Sequence, residues 1–303
     1  MAVASHTATP RDPTAAYRVW NWFATTLKLM ARNKIGFAGF LVVVAILLLA
    51  FIAPYFVAFD NTARVDQIYQ PPSAAHPLGT DSEGRDVWVQ IIHGGRDILT
   101  VGFLAAAITT VIAVTLGSLS AYLGGRVDTL LTWLADAFLS IPRIPLLAVL
   151  AGILQFNSQL ALALIIGLLG WPTLMRAIRS QVLSLKERDY VEAARALDLS
   201  TSHIIFREIA PNMVGYIAIN FTLAATEAIY ASAGLIFLGL VPLSGSNWGV
   251  MINLAWTRGA IFFKDSIWYI MAPILMISLF QLGLVGLARS MSEIFDPRLR
   301  RGG

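Results

Sequence analysis

The sequence has no cysteine, which rules out disulfides, thiolate metal ligands and a cysteine nucleophile within the chain. Its four histidines, His6, His76, His93 and His203, are dispersed and form neither a metal-binding spacing nor part of a Ser-His-Asp arrangement. No G-x-x-x-x-G-K-S/T run occurs, so any ATP that drives this protein is bound by another chain. Charged residues make up only 13% of the 303 positions, against about 25% in soluble domains. No A-x-A site follows the first apolar run, which therefore reads as a retained span and not a cleaved leader. These absences leave an enzyme reading without support.

What is present is apolar. Hydrophobic residues are 57% of the chain and the mean hydropathy is +0.69, the composition of a polytopic membrane protein. Runs long enough for a ~30 Å hydrocarbon core fall at 36–59, 99–123, 130–154, 160–175, 213–238 and 267–287. They divide the chain into a tail at 1–34, a first span within 35–59, a polar loop at 60–97, a core at 98–290 and a second tail at 291–303. In the first tail, Trp20, Trp22 and Phe23 among basic residues suggest a helix lying in the membrane interface, after a disordered start up to about Thr14. Six spans put both termini on one side. That side, with the turn at Gly124 and the segment around 176–212, carries 16 Lys and Arg, and the other carries 5. The positive-inside rule places both termini in the cytoplasm of a cell bounded by this membrane. The net charge of +4 is thus a matter of topology and not a nucleic-acid signal.

The most highly charged island between two spans is 190–212. Tyr190, Ala193, Ala194 and Leu197 recur at the spacing of one helix face, with Arg188, Glu192 and Arg195 on the other side. Ser200, Thr201 and Ser202 offer N-cap oxygens for a second short helix carrying Ile204, Ile205, Phe206 and Ile209. That helix should stop before Pro211, because the residue preceding a proline disfavours the α region. Small side chains on such a segment let another protein approach closely, which marks a docking element. An ordinary amphipathic loop is the alternative.

Glu192-Ala193-Ala194, followed by Ile204, Ile205, Ile209 and Pro211-Asn212, resembles the EAA loop of bacterial and archaeal ABC-importer permeases. In that family the loop forms a coupling helix seated in a groove of the cytoplasmic ATP-binding subunit. Two positions depart: Asp198 stands where the pattern usually has Gly, and Ala210 where it usually has Leu. His76-Pro77-Leu78-Gly79-Thr80-Asp81 with Gly84-Arg85-Asp86 resembles the segment after the first span in dipeptide, oligopeptide and nickel permeases of the DppC/OppC type. Phe237-Leu238-Gly239-Leu240, Trp248-Gly249 and Asp296-Pro297-Arg298-Leu299 match the last third of that subfamily. The resemblance covers the chain from about residue 30.

It implies an all-α fold: six transmembrane helices of the type I ABC importer (MetI-like) kind with a cytoplasmic coupling helix. It implies a coupling role for Tyr190, Glu192, Ala193, Ala194, Leu197, Asp198 and His203. It also implies partners: a second homologous permease in a pseudo-two-fold heterodimer, two subunits that bind ATP and Mg, and an extracytoplasmic solute-binding protein received by the outer loops. Membrane lipid surrounds the spans; nucleic acid is not expected, and this chain itself needs no cofactor. The cargo implied is a peptide, an oligosaccharide or a nickel chelate. An ion-coupled secondary transporter and a scaffolding membrane protein are the other readings; neither would need a polar docking helix.

Three ionisable residues fall inside apolar runs, where charge is costly and defaults to a paired or functional reading: Asp136, Arg143 and Glu227. Asp136 lies near the inner turn, within reach of water or a Lys or Arg, and suits either helix packing or a translocation path. Arg143, between Pro142 and Pro145, is 15 residues beyond Asp128, and Glu227 is 15 beyond Asn212. At ~1.5 Å per residue both reach about 22 Å into the membrane in spans of the same direction, apart from a shift of a few ångströms where the prolines bend the span. They are expected to point away from lipid and to pair, or else to find separate ligands. In the polar loop, Asp81, Glu83 and Asp86 with Gly84 do not fit a calcium-loop spacing and read instead as a folded cap held by Asp/Arg pairs.

Overall fold

The computed structural model describes residues 33–154, 158–241 and 247–295. The interfacial helix expected around Trp20, part of the loop expected at 155–159 and the 296–299 motif lie outside the described residues. The described regular structure is helical, apart from one isolated bridge between Thr80 and Asp86. The main helices are α1 (Lys34–Phe51), α2 (Val87–Leu123), α3 (Gly125–Leu139), α4 (Arg143–Leu154), α5 (Gln159–Leu185), α6 (Asp189–Ala196), α7 (Val214–Phe237), α8 (Trp248–Thr257) and α9 (Ile267–Phe295). Among the described residues five helical stretches are long and apolar enough to cross a membrane, and α3 with α4 makes a sixth if the bent pair is one span.

The ends of these helices are written locally. Asn33, Asp86, Ser158 and Asn247 each accept a hydrogen bond from a backbone N–H in the first turn of α1, α2, α5 and α8, a cap contributing about 1 kcal/mol. The α1 helix ends before Pro54, which opens a 3-10 turn at Ala53–Tyr55, so it is shorter than the expected run to 59. The α2 helix begins at Val87, twelve residues before the expected span, and its 37 residues reach ~55 Å. Its first turns bury Gln90, Ile91 and Ile92 within the polar cap, so the 60–97 loop is half helix at its end. The α9 helix continues to Phe295, so the expected tail from 291 starts as helix.

The third span is the main departure from expectation. It is not one straight helix: α3 and α4 meet at 77° across 140–142. Pro142 has no N–H to continue the ladder and disfavours helical backbone at Ile141. The observed turn is sharper than the proline bend in the depth comparison for Arg143, which allows for a shift of only a few ångströms.

The α2 helix is the spine. It packs along α5 on one side and α7 on the other, and touches α1, α3 and α8. The core around its N-terminal half joins Ile91, Ile98 and Leu99 to Trp248, Tyr269 and Phe280. Trp248 Nε1 donates to the Ile91 carbonyl at 2.9 Å, which satisfies a buried indole. The α1 helix joins this bundle through α9, where a Cβ on Gly39 would stand 2.8 Å from the Gly283 carbonyl. Small residues here let the two backbones touch.

The polar cap is built on Asp81, which is fully buried. Its carboxylate accepts from the backbone N–H of Glu83 and Arg85 at 2.8 Å, from Arg85 Nε at 2.8 Å and from Gln90 Nε2 at 2.9 Å. Burial opposes the Arg85 charge, but Asp81 and Glu83 outweigh it and hold its pKa above the usual value. Asp86 caps α2 and meets His76 Nδ1 at 2.8 Å. These contacts are the Asp/Arg-held cap expected from the sequence. Asp81→Ala strands Arg85 and Gln90 and should cost about 3 kcal/mol of local stability. Hydrogen exchange at the Glu83 and Arg85 amides would show this as lost protection, while alanine at the exposed Asp60 should leave it unchanged.

Candidate coupling and translocation sites

The 188–212 segment closes one end of the bundle. In α6, Val191 and Ala194 are buried and Tyr190 is half-buried, while Glu192, Ala193, Arg195 and Leu197 are exposed. The inward face is therefore 190/191/194, and the expected 190/193/194/197 face is corrected. Ala193 and Leu197 belong to the outward side, Leu197 with 72% of its surface free. The reason is the turn that follows. Asp198 adopts φ +55, its N–H bonds the Arg195 carbonyl, and Leu199 N–H reaches back to the Ala194 carbonyl. This paired-bond C-terminal motif sends Leu199 inward and leaves Leu197 out. Asp198 thus takes a left-handed conformation that glycine adopts without strain.

Ser200 caps the next turn through the His203 N–H, and His203 stands 3.6 Å from Glu208. The chain then winds as a π-helix at Ile204–Ile209 and a 3-10 turn at Ala210–Met213 before entering α7. The expected stop before Pro211 does not occur. The hydrogen-bond register loosens before the proline, where the Ala210 N–H pairs with the Ile205 carbonyl, and tightens after it. The wider turn buries Ile204, Ile205 and Ile209 together, and Phe206 stays 48% exposed. Ile204 and Ile209 pack with Val191, Ala194, Ile178 and Val182. Tyr190 is held there by burial, which raises its phenol pKa, and its hydroxyl is buried without a hydrogen-bond partner.

The segment rests on the end of α2. The Arg195 guanidinium lies 5.1 Å from the centre of the Tyr122 ring, and Lys186 Nζ donates to the Ala121 carbonyl at 3.1 Å. Both cations suit the negative end of that helix.

The three intramembrane charges all find partners. Asp136 pairs with Arg176, which favours the packing role over the path. One helical turn further along α5, Arg179 grips Asp128 through Nε at 2.6 Å and Nη2 at 2.5 Å. Arg143 Nη1 meets Glu227 Oε2 at 3.3 Å, and Arg143 Nη2 donates to the Ile166 carbonyl at 3.0 Å. The expected Arg143–Glu227 contact therefore forms despite the bend, because Arg143 is the first residue after the break and its long side chain spans the gap. The pair borders two cavities of about 300 and about 170 Å³. Gly170 and Thr173 of α5 line both and Pro172 lines the larger, and sequence reasoning missed these three. The signal available was Pro172 two residues after a glycine within an apolar helix.

The comparisons with known proteins bear on the whole chain. Residues 113–301 match the family described as binding-protein-dependent transport system inner membrane component, and residues 22–72 match the N-terminal membrane domain of oligopeptide transport permease C. The oligopeptide transport system permease protein OppC of Bacillus subtilis is 32% identical over 276 residues, covering 89% of this chain and 87% of its own length. The dipeptide transport system permease protein DppC of Alkalihalophilus pseudofirmus is 31% identical over 296 residues, covering 96% and 94%. This chain is an ABC permease of the DppC/OppC type. Its fold is that of the type I importers, and it is a multi-pass membrane protein.

For this permease the turn at Asp198 holds a non-glycine residue in a left-handed conformation, at a structural cost. Asp198→Gly should relieve strain of about 0.5–1 kcal/mol. The Leu199 amide, which closes the turn, should then exchange more slowly with solvent.

Proposed function

We propose that this permease is the C-type membrane half of an ATP-driven peptide importer. The reading is carried by relatives named as dipeptide and oligopeptide permeases that align with nearly the whole chain. A second permease completes the pathway, two ATP-binding subunits supply the energy, and an extracytoplasmic solute-binding protein delivers the cargo. The 16-to-5 bias of basic residues supports cytoplasmic termini and a cytoplasmic 188–212 segment.

The proposed docking surface is the outward side of α6 and its turn: Glu192, Ala193, Leu197 and Asp198, with Phe206 beside them. Tyr190 and Ala194 act from beneath by anchoring α6, and His203 by holding the second turn. ATP-driven closure of the two ATPase subunits pushes on this surface. The push passes to the ends of α2 and α5 through Arg195, Lys186 and the packed isoleucines. Arg143 and Glu227 lie on the cargo path, and Asp136 fastens α3 to α5 beside it.

Glu192→Arg reverses an exposed charge, with a folding cost within about 0.5 kcal/mol. In the assembled importer it should cut peptide uptake by tenfold or more, either by releasing the ATPase or by leaving its hydrolysis uncoupled. Wild-type uptake with normal ATPase association would refute the docking role. Orientation is checked in this cysteine-free chain with single cysteines. One at the exposed Ala74 should react with an impermeant thiol reagent from outside the cell, and one at the exposed Ser184 only after the membrane is opened. The reverse pattern would overturn the placement.

A further inference from the structure

We propose that the Arg143–Glu227 pair is a bar across the cargo path that is displaced by the two ends of an unblocked peptide. The α-ammonium takes Glu227 and the α-carboxylate takes Arg143. This rests on the peptide reading above and names the feature of the peptide that the membrane subunit itself recognises.

Four observations carry it. The first is position. The two cavities share Arg143, Gly170, Thr173 and Glu227, so the ion pair stands between them. The second is composition. Among the residues lining either cavity, Arg143 and Glu227 are the only charged ones; the remainder is mostly apolar, with Thr109, Thr173 and Asn220 as neutral polar groups. One positive group, one negative group and mostly apolar, otherwise uncharged walls match a ligand with fixed charged ends and variable side chains. The third is spare bonding capacity. The pair makes a single contact at 3.3 Å and not a two-point fork, Glu227 is 64% exposed, and the Arg143 Nε is buried without a hydrogen-bond partner. The fourth is freedom to open. An extended dipeptide spans about 7 Å and each end needs about 3 Å to its partner, so the two charged groups, now 3.3 Å apart, must open to roughly 13 Å. Arg143 sits at the 77° break and can swing with α4.

The exchange balances in charge. One internal ion pair is replaced by two ion pairs to the cargo, and no charge is left bare in a region of low dielectric. A peptide with an acetylated amino end leaves Glu227 without a partner. A peptide with an amidated carboxyl end does the same to Arg143. Such cargo opens the bar at a penalty that unblocked cargo does not meet.

The test uses the complete importer in proteoliposomes, with one tripeptide offered unblocked, N-acetylated or C-amidated. The solute-binding protein is saturated with each form, its affinity for each having been measured separately. Wild type should carry each blocked form about tenfold or more slowly. Glu227→Gln should abolish discrimination against the acetylated form and keep it against the amide; Arg143→Gln should do the opposite. Gly170→Ala keeps both charges but places a Cβ 2.6 Å from Thr109 Oγ1 and 2.9 Å from Arg143 Nη2. It should weaken discrimination against the amide in a complex whose charges are intact, and it serves where a charge variant fails to assemble. Equal transport of all three forms by wild type would overturn the inference, as would variants that slow all three forms alike. Failure of wild type to carry any peptide would instead overturn the peptide reading.

Discussion

A charge taken into hydrocarbon must bring a partner, and the third span of this permease is arranged around that demand. Asp128, Asp136 and Arg143 all lie on its two halves, and each meets an opposite charge on a different helix: Arg179 and Arg176 on α5, and Glu227 on α7. The Pro142 break divides these contacts. Before it, α3 is fastened to α5 at the docking end. After it, α4 is tied to α7 by one contact at 3.3 Å, with the Ile166 carbonyl as a second ligand for Arg143. The two halves of one span therefore answer to different neighbours.

The α2 helix links the two ends on which function depends. Its N-terminus is set into the cap by Asp86 and Gln90, the latter bonded to buried Asp81. Its C-terminus carries Ala121 and Tyr122, against which Lys186 and Arg195 rest. The cap and the 188–212 segment are thus at opposite ends of one helix of 37 residues. Apolar packing against α5 and α7 makes that helix a stiff element, because interiors of this kind transmit displacement more readily than they absorb it.

Much of this was legible from residue order. The apolar runs marked every membrane helix, because length and hydropathy alone decide whether a segment can span. Ser200 as an N-cap and Asp81 with Arg85 as a cap pair were readable, since those contacts are local. Equal residue counts to Arg143 and Glu227 suggested their pairing, although the proline bend between the halves of the span is sharper than the small shift allowed for. The buried side of α6 was misread because only two turns precede the reversal at Asp198. In so short a helix, periodicity cannot separate Val191 from Ala193 as the inward residue. The continuation through Pro211 was missed because a proline removes a hydrogen bond from an α-helix, whereas here the ladder passes through π and 3-10 registers around it.

The sequence by itself determined the class: scarce charge and six apolar runs exclude a soluble fold, and the lopsided basic residues favour one orientation over the other. It also determined which residues would need partners, since an intramembrane Asp, Arg or Glu is costly wherever it stands. Tertiary structure alone decided which partners they took and what lay between them. The 77° turn of α4, the gap at Gly170 and the two cavities meeting at one ion pair depend on how α2, α5 and α7 pack. Those are contacts between residues far apart in the chain, and local order carries no record of them.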